Sequence, residues 1–266
     1  MGRQVFRGVS AMGLAALAAA CITVVGPQDS PRPGQPAEFR KTVEFKAGDT
    51  LAIEHTLGNI TISGWDKDSA EIVATLRKAD PNGQRQVHLY TGEELEPSID
   101  VRRTDGVLRI RTKSLGGPWT STAMDYSIHV PASIKLRAVR LEKGNVMISG
   151  VYGRIEAVIS SGGLTVKNFS GFLKANISAG GADVELLDVR GEDTVEIMSL
   201  EGDIALRLQD GAGVHLMADA PKGAISSEFD LGVQLPVRSL TAKLGSAAAA
   251  VSLKALRGNI RILKAE

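Results

Sequence analysis

The sequence predicts an all-β protein whose C-terminal half is a parallel β-solenoid, continuous with a strand-rich N-terminal part. Three observations support this prediction. Glycine is frequent, at 29 of 266 residues, whereas aromatic residues make up only 4%, a composition that favours tight turns between short strands over long helices. Short runs of alternating apolar and polar residues recur from Phe39 onward. In the second half, two series of glycines recur in step.

Residues 1–20 are predicted to be a signal peptide. Arg3 and Arg7 supply a positive segment, and the apolar run from Val9 to Ala20 follows it. That run is shorter than the roughly 20 apolar residues that a membrane-spanning helix needs. Extending it through Gly26 makes an uncleaved helical anchor the alternative.

Cys21 is the predicted lipidation site. The segment from Leu17 to Cys21 resembles a bacterial lipobox, in which the cysteine is acylated and becomes the mature N-terminus, although Ala18 stands where lipoboxes usually carry leucine. Because Cys21 is the only cysteine of the chain, it has no disulfide partner and no second thiol for a metal site. The alternative is an ordinary apolar cysteine in a signal peptide that is cleaved nearby.

Residues 21–38 are predicted to comprise the lipidated cysteine and a proline-rich tether. The prolines between Gly26 and Pro36 favour an extended polyproline conformation, which would hold a domain away from a membrane. Ile22, rather than aspartate, follows the cysteine, which favours outer-membrane anchoring over retention at the inner membrane. We therefore expect a bacterial envelope protein, periplasmic or surface-exposed.

Residues 39–138 are predicted to be the strand-rich N-terminal part. The segment Ala70–Leu76 fits a strand or a short helix, and its β-branched residues favour the strand. Asp80–Gly83 and Gly116–Pro118 read as a turn and an exposed loop. The other predicted strands are Thr42–Phe45, Leu51–Glu54, Ile60–Ser63, Ile99–Val101, Val107–Arg111 and Tyr126–Val130.

Residues 139–266 are predicted to be the repetitive β-solenoid part. One glycine series falls at positions 144, 162, 180, 202, 223 and 245, and the other at 153, 171, 191, 211, 232 and 258. Two turns and two strands per repeat of about 20 residues are typical of a solenoid, because one unit cannot bury its apolar face alone. A glycine-rich antiparallel sandwich or meander is the alternative.

Three segments of this half are expected to depart from the regular repeat. The last strand, Gly258–Lys264, is expected to end the stack, with Arg261 and Lys264 as charges that discourage strand addition. Residues 214–239 are interpreted as a repeat with a loop insertion, and Ala247–Ala250 as a tapering end.

The run Gly58–Asp66 resembles the N-terminal motif of the bacterial putative adhesin domain family. Tyr126–Pro131, the following Gly144–Val146 and the later Gly-Gly or Gly-Asp strand starts fit the same family. The resemblance covers roughly residues 40–266. It implies a β-solenoid-like fold on the cell envelope and brings no shared catalytic residues.

The sequence predicts no catalytic, cofactor or metal site, and no cofactor. The charge is balanced, with 31 basic and 30 acidic residues, which argues against binding to nucleic acid. The features weighed as sites lack the required spacing or companions. They are the histidines 55, 88, 129 and 215, the acidic residues Glu93, Glu94 and Glu96, Asp66 and Asp68, Ser160 and Ser161, the pairs Gly162–Gly163 and Gly180–Gly181, and the tryptophans 65 and 119.

We therefore expect a non-catalytic envelope lipoprotein that presents a solenoid surface for adhesion or for interaction with envelope proteins or polysaccharides. We also expect it to be attached to the membrane through the N-terminal lipid anchor. A polysaccharide-active β-helix enzyme is one alternative, and it would need carboxylates or basic residues clustered on one outer face. An envelope-stress sensor or scaffold is another.

Overall fold

The computed structural model describes residues 38–78, 98–113, 122–246 and 249–265. The regular elements of these ranges are all strands, which confirms the all-β class. The predicted signal peptide, Cys21, the tether up to residue 37, and the turn and loop at 80–83 and 116–118 lie outside the described residues. No helix in the described ranges is long and apolar enough to cross a membrane.

The strands are numbered β1 to β19 in chain order. They are β1 (Glu38–Glu44), β2 (Thr50–Leu57), β3 (Ile60–Trp65), β4 (Ser69–Lys78), β5 (Ile99–Thr104), β6 (Val107–Thr112), β7 (Thr122–Pro131), β8 (Ser133–Lys143), β9 (Val146–Ser149), β10 (Tyr152–Ser161), β11 (Leu164–Ala179), β12 (Ala182–Leu186), β13 (Thr194–Glu201), β14 (Ile204–Leu208), β15 (Val214–Asp219), β16 (Ile225–Ser227), β17 (Ser239–Leu244), β18 (Ala249–Arg257) and β19 (Ile260–Lys264).

The strands form two sheets that the chain visits in turn. Sheet A has the order β1-β4-β7-β3-β9-β11-β12-β14-β19-β16. Sheet B has the order β5-β6-β2-β8-β10-β11-β13-β18-β15-β17. The long strand β11 belongs to both, since its first part pairs in sheet A and its second part in sheet B. Segment Ala70–Leu76 lies in β4 and is a strand, as favoured above.

The pairing is mixed, so the prediction of a parallel solenoid needs correction. Strands in the middle of both sheets pair in parallel, whereas β1–β4, β4–β7, β5–β6 and β15–β17 are antiparallel. The antiparallel pairs all lie toward the ends of the sheets. An antiparallel strand can be added through a short turn, whereas a parallel one requires the chain to cross over. Of the four antiparallel pairs, β5 and β6 are joined by such a turn, at Asp105–Gly106, whereas the partners in the other three pairs are far apart in the chain.

The order of strands along the stack differs from their order along the chain. Strand β19 pairs with β14 on one side and β16 on the other, so the expectation that Gly258–Lys264 ends the stack is wrong. Residues 214–239 contain β15 and β16 followed by a segment without a regular strand, 228–238, which fits the expected repeat with a loop insertion. Ala249–Ala250, in contrast, begin the inner strand β18 rather than a tapering end. The segment β15–β17 forms this end of the stack, because β18 pairs between β13 and β15 and β19 pairs between β14 and β16.

The same threading occurs at the other end of the stack. Strand β2 lies between β6 and β8, and β3 lies between β7 and β9. The boundary expected between residues 138 and 139 falls inside β8, which pairs with β2 and β10. The two predicted parts therefore share continuous sheets.

One apolar core runs the length of the stack. Alternate residues of each strand point inward, as in the fully buried Leu51 and Ile53 of β2 and Ile60 and Ile62 of β3. Parallel register places apolar residues of neighbouring strands over one another, about 4.8 Å apart. Each buried aliphatic side chain contributes about 1.5–3 kcal/mol, so the repeated aliphatic positions stabilise the stack.

Candidate interaction surface

The predicted site residues that the structure describes are not brought together into a reactive group. No cluster of three or more metal-binding side chains occurs in the described ranges. His55 is buried in β2, His129 is half-buried in β7, and His215 is half-buried in β15. Cys21, His88, Trp119 and the acidic residues 93, 94 and 96 lie outside the described residues.

His55 belongs to a buried polar cluster that connects three strands. Its Nδ1 lies 2.8 Å from Thr112 Oγ1, which in turn lies 2.8 Å from the Tyr126 hydroxyl. The rings of His55 and Tyr126 meet edge to face, with centroids 5.0 Å apart. Burial lowers the pKa of His55 below its ordinary value, and burial raises the pKa of Tyr126 to about 12 despite the hydrogen bond from Thr112. Both side chains are thus held neutral, which suits a structural connection between β2, β6 and β7.

The glycine pairs weighed as phosphate cradles form a corner of the stack instead. A Cβ added to Gly162 would lie 1.7 Å from the Gly144 carbonyl oxygen, and one added to Gly180 would lie 2.1 Å from that of Gly162. The amides of Gly144, Gly162 and Gly180 donate to carbonyls of the next turn at 2.6–2.9 Å. The Gly163 amide is also occupied, by Asn145 Oδ1 at 2.9 Å, so the successive amides of the Gly162–Gly163 pair are not free to bind a phosphate.

Asparagine and aspartate side chains extend this corner into a hydrogen-bonded ladder. Asn59 Oδ1 accepts from the amide of Asn145, and Asn145 Oδ1 accepts from that of Gly163, at 3.0 and 2.9 Å. Asp203 accepts from the Asn259 amide in the same way, at 2.8 Å. The Gly-Asn and Gly-Asp dipeptides in the repeats are the sequence signal for this ladder, although the dipeptides by themselves indicate only where strands start.

Trp65 is packed by its neighbours and does not form a free aromatic platform. Its indole stacks on His129 with centroids 5.4 Å apart, and Lys67 Nζ lies 4.6 Å from its ring centroid. The indole N–H donates to the Ser69 carbonyl at 2.8 Å. These contacts support the packing role that is the default for such a residue. The exposed Asp66 follows it at the end of β3.

The outer face of sheet B is strongly basic at its β5–β6–β2–β8 end. Acidic residues on this part of the face are fewer: Asp100, Glu54 and Glu142. The outward-facing basic residues are all exposed, and they are Arg102, Arg109, Arg111, Lys135, Arg137 and Arg140. The balanced charge of the whole chain conceals this local excess.

Three of these arginines form one row across the strands, which we call the arginine row: Arg102, Arg109 and Arg137. Arg102 of β5 is directly opposite Arg109 of β6, whose neighbour on the other side is Ala52 of β2. On the far side of Ala52, a bulge in β8 sets two residues, Arg137 and Ala138, against it, and Arg137 is the exposed one. The described ranges contain no ion pair or hydrogen bond for the side chains of Arg109 and Arg137. Like charges placed opposite one another destabilise a sheet, so packing alone does not account for this row.

The neighbouring row on the same face is neutralised. Glu54 of β2 lies between Arg111 and Arg140, and its carboxylate oxygens are 2.7 Å from Arg111 Nη2 and 3.5 Å from Arg140 Nη1. Arg102 is bound on one side by Asp100, at 2.8 Å. Two of the three acids of this end, Asp100 and Glu54, are therefore engaged, and Ala52 occupies the position in the row where a carboxylate would balance it.

Beyond β8 the arginine row continues with alternating charge. Glu156 of β10 pairs with Arg154 of its own strand, and Lys174 of β11 lies 2.9 Å from Glu196 of β13. The outer face of sheet A differs again, because hydroxyl side chains such as Thr61, Ser127 and Ser149 occupy its equivalent positions. Within these rows, neighbouring positive charges without a carboxylate between them occur at the β5–β6–β2–β8 end of sheet B.

Comparisons with known proteins returned structural matches. No family model matches the chain, and no curated protein matches it. A putative cell adhesion protein from Clostridium sporogenes is 16% identical, with a TM-score of 0.46, over 87% of this chain and 100% of the other. A putative adhesin from Bacteroides fragilis is 14% identical, with a TM-score of 0.38, over 85% of this chain and 97% of the other. A putative lipid binding protein from Parabacteroides distasonis is 10% identical, with a TM-score of 0.35, over 85% of this chain and 96% of the other. Two of these names agree with the resemblance drawn from the sequence.

Proposed function

We propose that this chain is a non-catalytic envelope lipoprotein, anchored through Cys21, whose two-sheet solenoid presents the basic end of sheet B to an envelope partner. The observation that supports this most is the arginine row, in which Arg109 and Arg137 flank Ala52 without a carboxylate between them. A face that carries unneutralised charge is suited to a partner of opposite charge. The stack supplies a rigid support for such a surface.

A non-catalytic role follows from how the carboxylates of this face are used. Glycoside hydrolysis needs two carboxyl groups in different environments, one of which is held protonated. On the basic end, Glu54 is bound between two arginines and Asp100 is bound by Arg102. Both carboxylates are bound by exposed guanidinium groups on an open sheet face, which is not the enclosed pair of carboxyl groups that glycoside hydrolysis needs.

The interaction is tested by cross-linking in intact cells of the source bacterium. A photo-cross-linking amino acid at Lys135, on the outer face of sheet B, is expected to give adducts with an envelope component. The matched control carries it at Thr61, on the outer face of sheet A. Adducts that form equally at both positions, or at neither, would contradict the assignment of sheet B as the working face.

Two further measurements separate the components of the proposal. Labelling with a radioactive fatty acid should mark the protein, and Cys21→Ser should abolish both the label and membrane fractionation. The enzyme alternative is tested by incubating the protein with acidic glycans and measuring new reducing ends. Turnover that is lost on mutation of Glu54 would overturn the non-catalytic assignment.

A further inference from the structure

We infer that the arginine row is a binding site for an acidic polysaccharide chain that lies across the strands of sheet B. This inference rests on the proposed function and assigns the chemical class of the partner. Guanidinium groups form paired hydrogen bonds with carboxylate and sulfate groups. Arg102, Arg109 and Arg137 present such groups on β5, β6 and β8, in a line across the strands that passes over Ala52 of β2.

The spacing of the row favours a polymer over a single small anion. Neighbouring strands lie about 4.8 Å apart, so Arg102 and Arg109 are separated by one spacing and Arg109 and Arg137 by two. An extended acidic sugar chain carries its charges at a similar repeat. Ala52 leaves the space between Arg109 and Arg137 open to an anionic group, because its side chain does not extend beyond Cβ.

Edge protection does not explain the row. Charged residues on edge strands prevent unwanted strand addition, and this reason covers Arg102 because β5 is the edge of sheet B. Arg109 and Arg137 lie on β6 and β8, each of which has a strand on both sides. Their positions therefore need another explanation.

The surroundings of the row favour a polysaccharide over a lipid surface. Peripheral membrane binding combines basic residues with apolar side chains that enter the headgroup region. No large exposed apolar side chain of the described ranges lies in the arginine row itself; Val158 is opposite Arg140 in the neighbouring row, and Met198 lies farther along that row. Because the row has no aromatic stacking partner either, binding should be mainly electrostatic and should weaken steeply with added salt.

The experiment measures binding of the purified full chain, in detergent, to polygalacturonate. Wild type is expected to bind at low salt and to release the polymer as salt is raised. In Arg109→Ala/Arg137→Ala, affinity should fall about tenfold, as expected when two exposed charge contacts are lost. Lys243→Ala/Arg261→Ala removes the same charge from other strands and should bind like wild type.

A second variant keeps the test valid if the arginine variant folds poorly. Ala52→Glu places a carboxylate between Arg109 and Arg137, so it should neutralise the row, abolish binding and leave the melting temperature unchanged or raised. Thr61→Glu adds the same charge on sheet A and should keep binding. Wild-type binding that Ala52→Glu leaves intact would overturn the inference.

The remaining outcomes distinguish this inference from the proposed function. Failure to bind polygalacturonate at low salt would overturn the inference, as would binding to phosphatidylglycerol vesicles without binding to the polymer. If Lys135 still gives adducts in cells, the proposed function survives either result and only the partner class is wrong. If Lys135 gives none while the polymer binds, the proposed function fails in the cell.

Discussion

Replacement of Gly162 by alanine should destabilise this protein far more than the same change at Gly150. Gly162 has a φ of +130°, and an added Cβ would lie 1.7 Å from the carbonyl oxygen of Gly144. Real Cβ atoms essentially never approach another heavy atom more closely than 3.0 Å. The two corners would therefore have to separate by more than an ångström, in a backbone conformation that residues with a Cβ rarely adopt.

The cost follows from the hydrogen bonds that join these two corners. Gly144 N–H donates to Ser161 O and Val146 N–H donates to Gly163 O, both at 2.9 Å, and Asn145 Oδ1 accepts from the Gly163 amide at 2.9 Å. Their loss costs about 1 kcal/mol each, and the strained φ adds about 1–3 kcal/mol. The expected loss is about 4–6 kcal/mol, which is a large part of the 5–15 kcal/mol that stabilises a typical domain.

Gly150 provides the matched control. Its φ is +61°, but an added Cβ meets nothing within 4 Å, so Gly150→Ala should cost only the left-handed penalty of about 1–2 kcal/mol. Urea unfolding followed by far-ultraviolet circular dichroism measures both variants. If Gly162→Ala loses no more stability than Gly150→Ala, the close stacking of the glycine corners does not hold, and the account of the repeat fails with it.

Three further predictions concern the buried cluster and the ladder. Because burial lowers the pKa of His55, the folded state binds fewer protons than the unfolded state, so stability is fully present above about pH 6.5 and falls below it. The variant His55→Gln should therefore flatten the acid side of a plot of urea midpoint against pH. An unchanged slope in that plot would refute the role of His55. Because the pKa of Tyr126 is raised to about 12, stability is present below about pH 10 and is lost toward pH 12, by up to about 3 kcal/mol. The variant Tyr126→Phe should lack that loss. Asn145→Ala removes the acceptor of the Gly163 amide and should lower the free energy of unfolding in urea by about 1 kcal/mol. The control Asn176→Ala, on the outer face of sheet B, should lower it by close to nothing. Equal losses of stability in the two variants would refute the ladder.

The strands were predictable because each one carries its own signal. Alternation in segments such as Ile60–Ser63 and Val107–Arg111 identifies an inward and an outward face from a few neighbouring residues. The glycine repeat at 144, 162 and 180 was readable for the same reason, since each corner needs a residue without a Cβ. Local requirements of this kind leave local patterns in a sequence.

The stacking order was not predictable, because it depends on which distant strands pair. Nothing within Gly258–Lys264 distinguishes an edge strand from β19, which pairs on both sides. Its Arg261 and Lys264 are both exposed, as charges on an edge strand also would be. The cluster of His55, Thr112 and Tyr126 escaped prediction in the same way, since its members lie on three strands that only the fold brings together.

Threading of β2 between β6 and β8 is also what creates the candidate binding site. If these strands stacked in chain order, β2 would lie outside β6, and Arg109 would be next to Arg137. Two unit charges held one strand spacing apart repel by about 0.9 kcal/mol in water, and by about 0.4 kcal/mol at two spacings. Insertion of β2 places Ala52 between the arginines, so it halves their repulsion and opens a gap that an anionic group can enter. The insertion of β2 between β6 and β8 thus separates Arg109 from Arg137 and leaves the gap on which the proposed binding site depends.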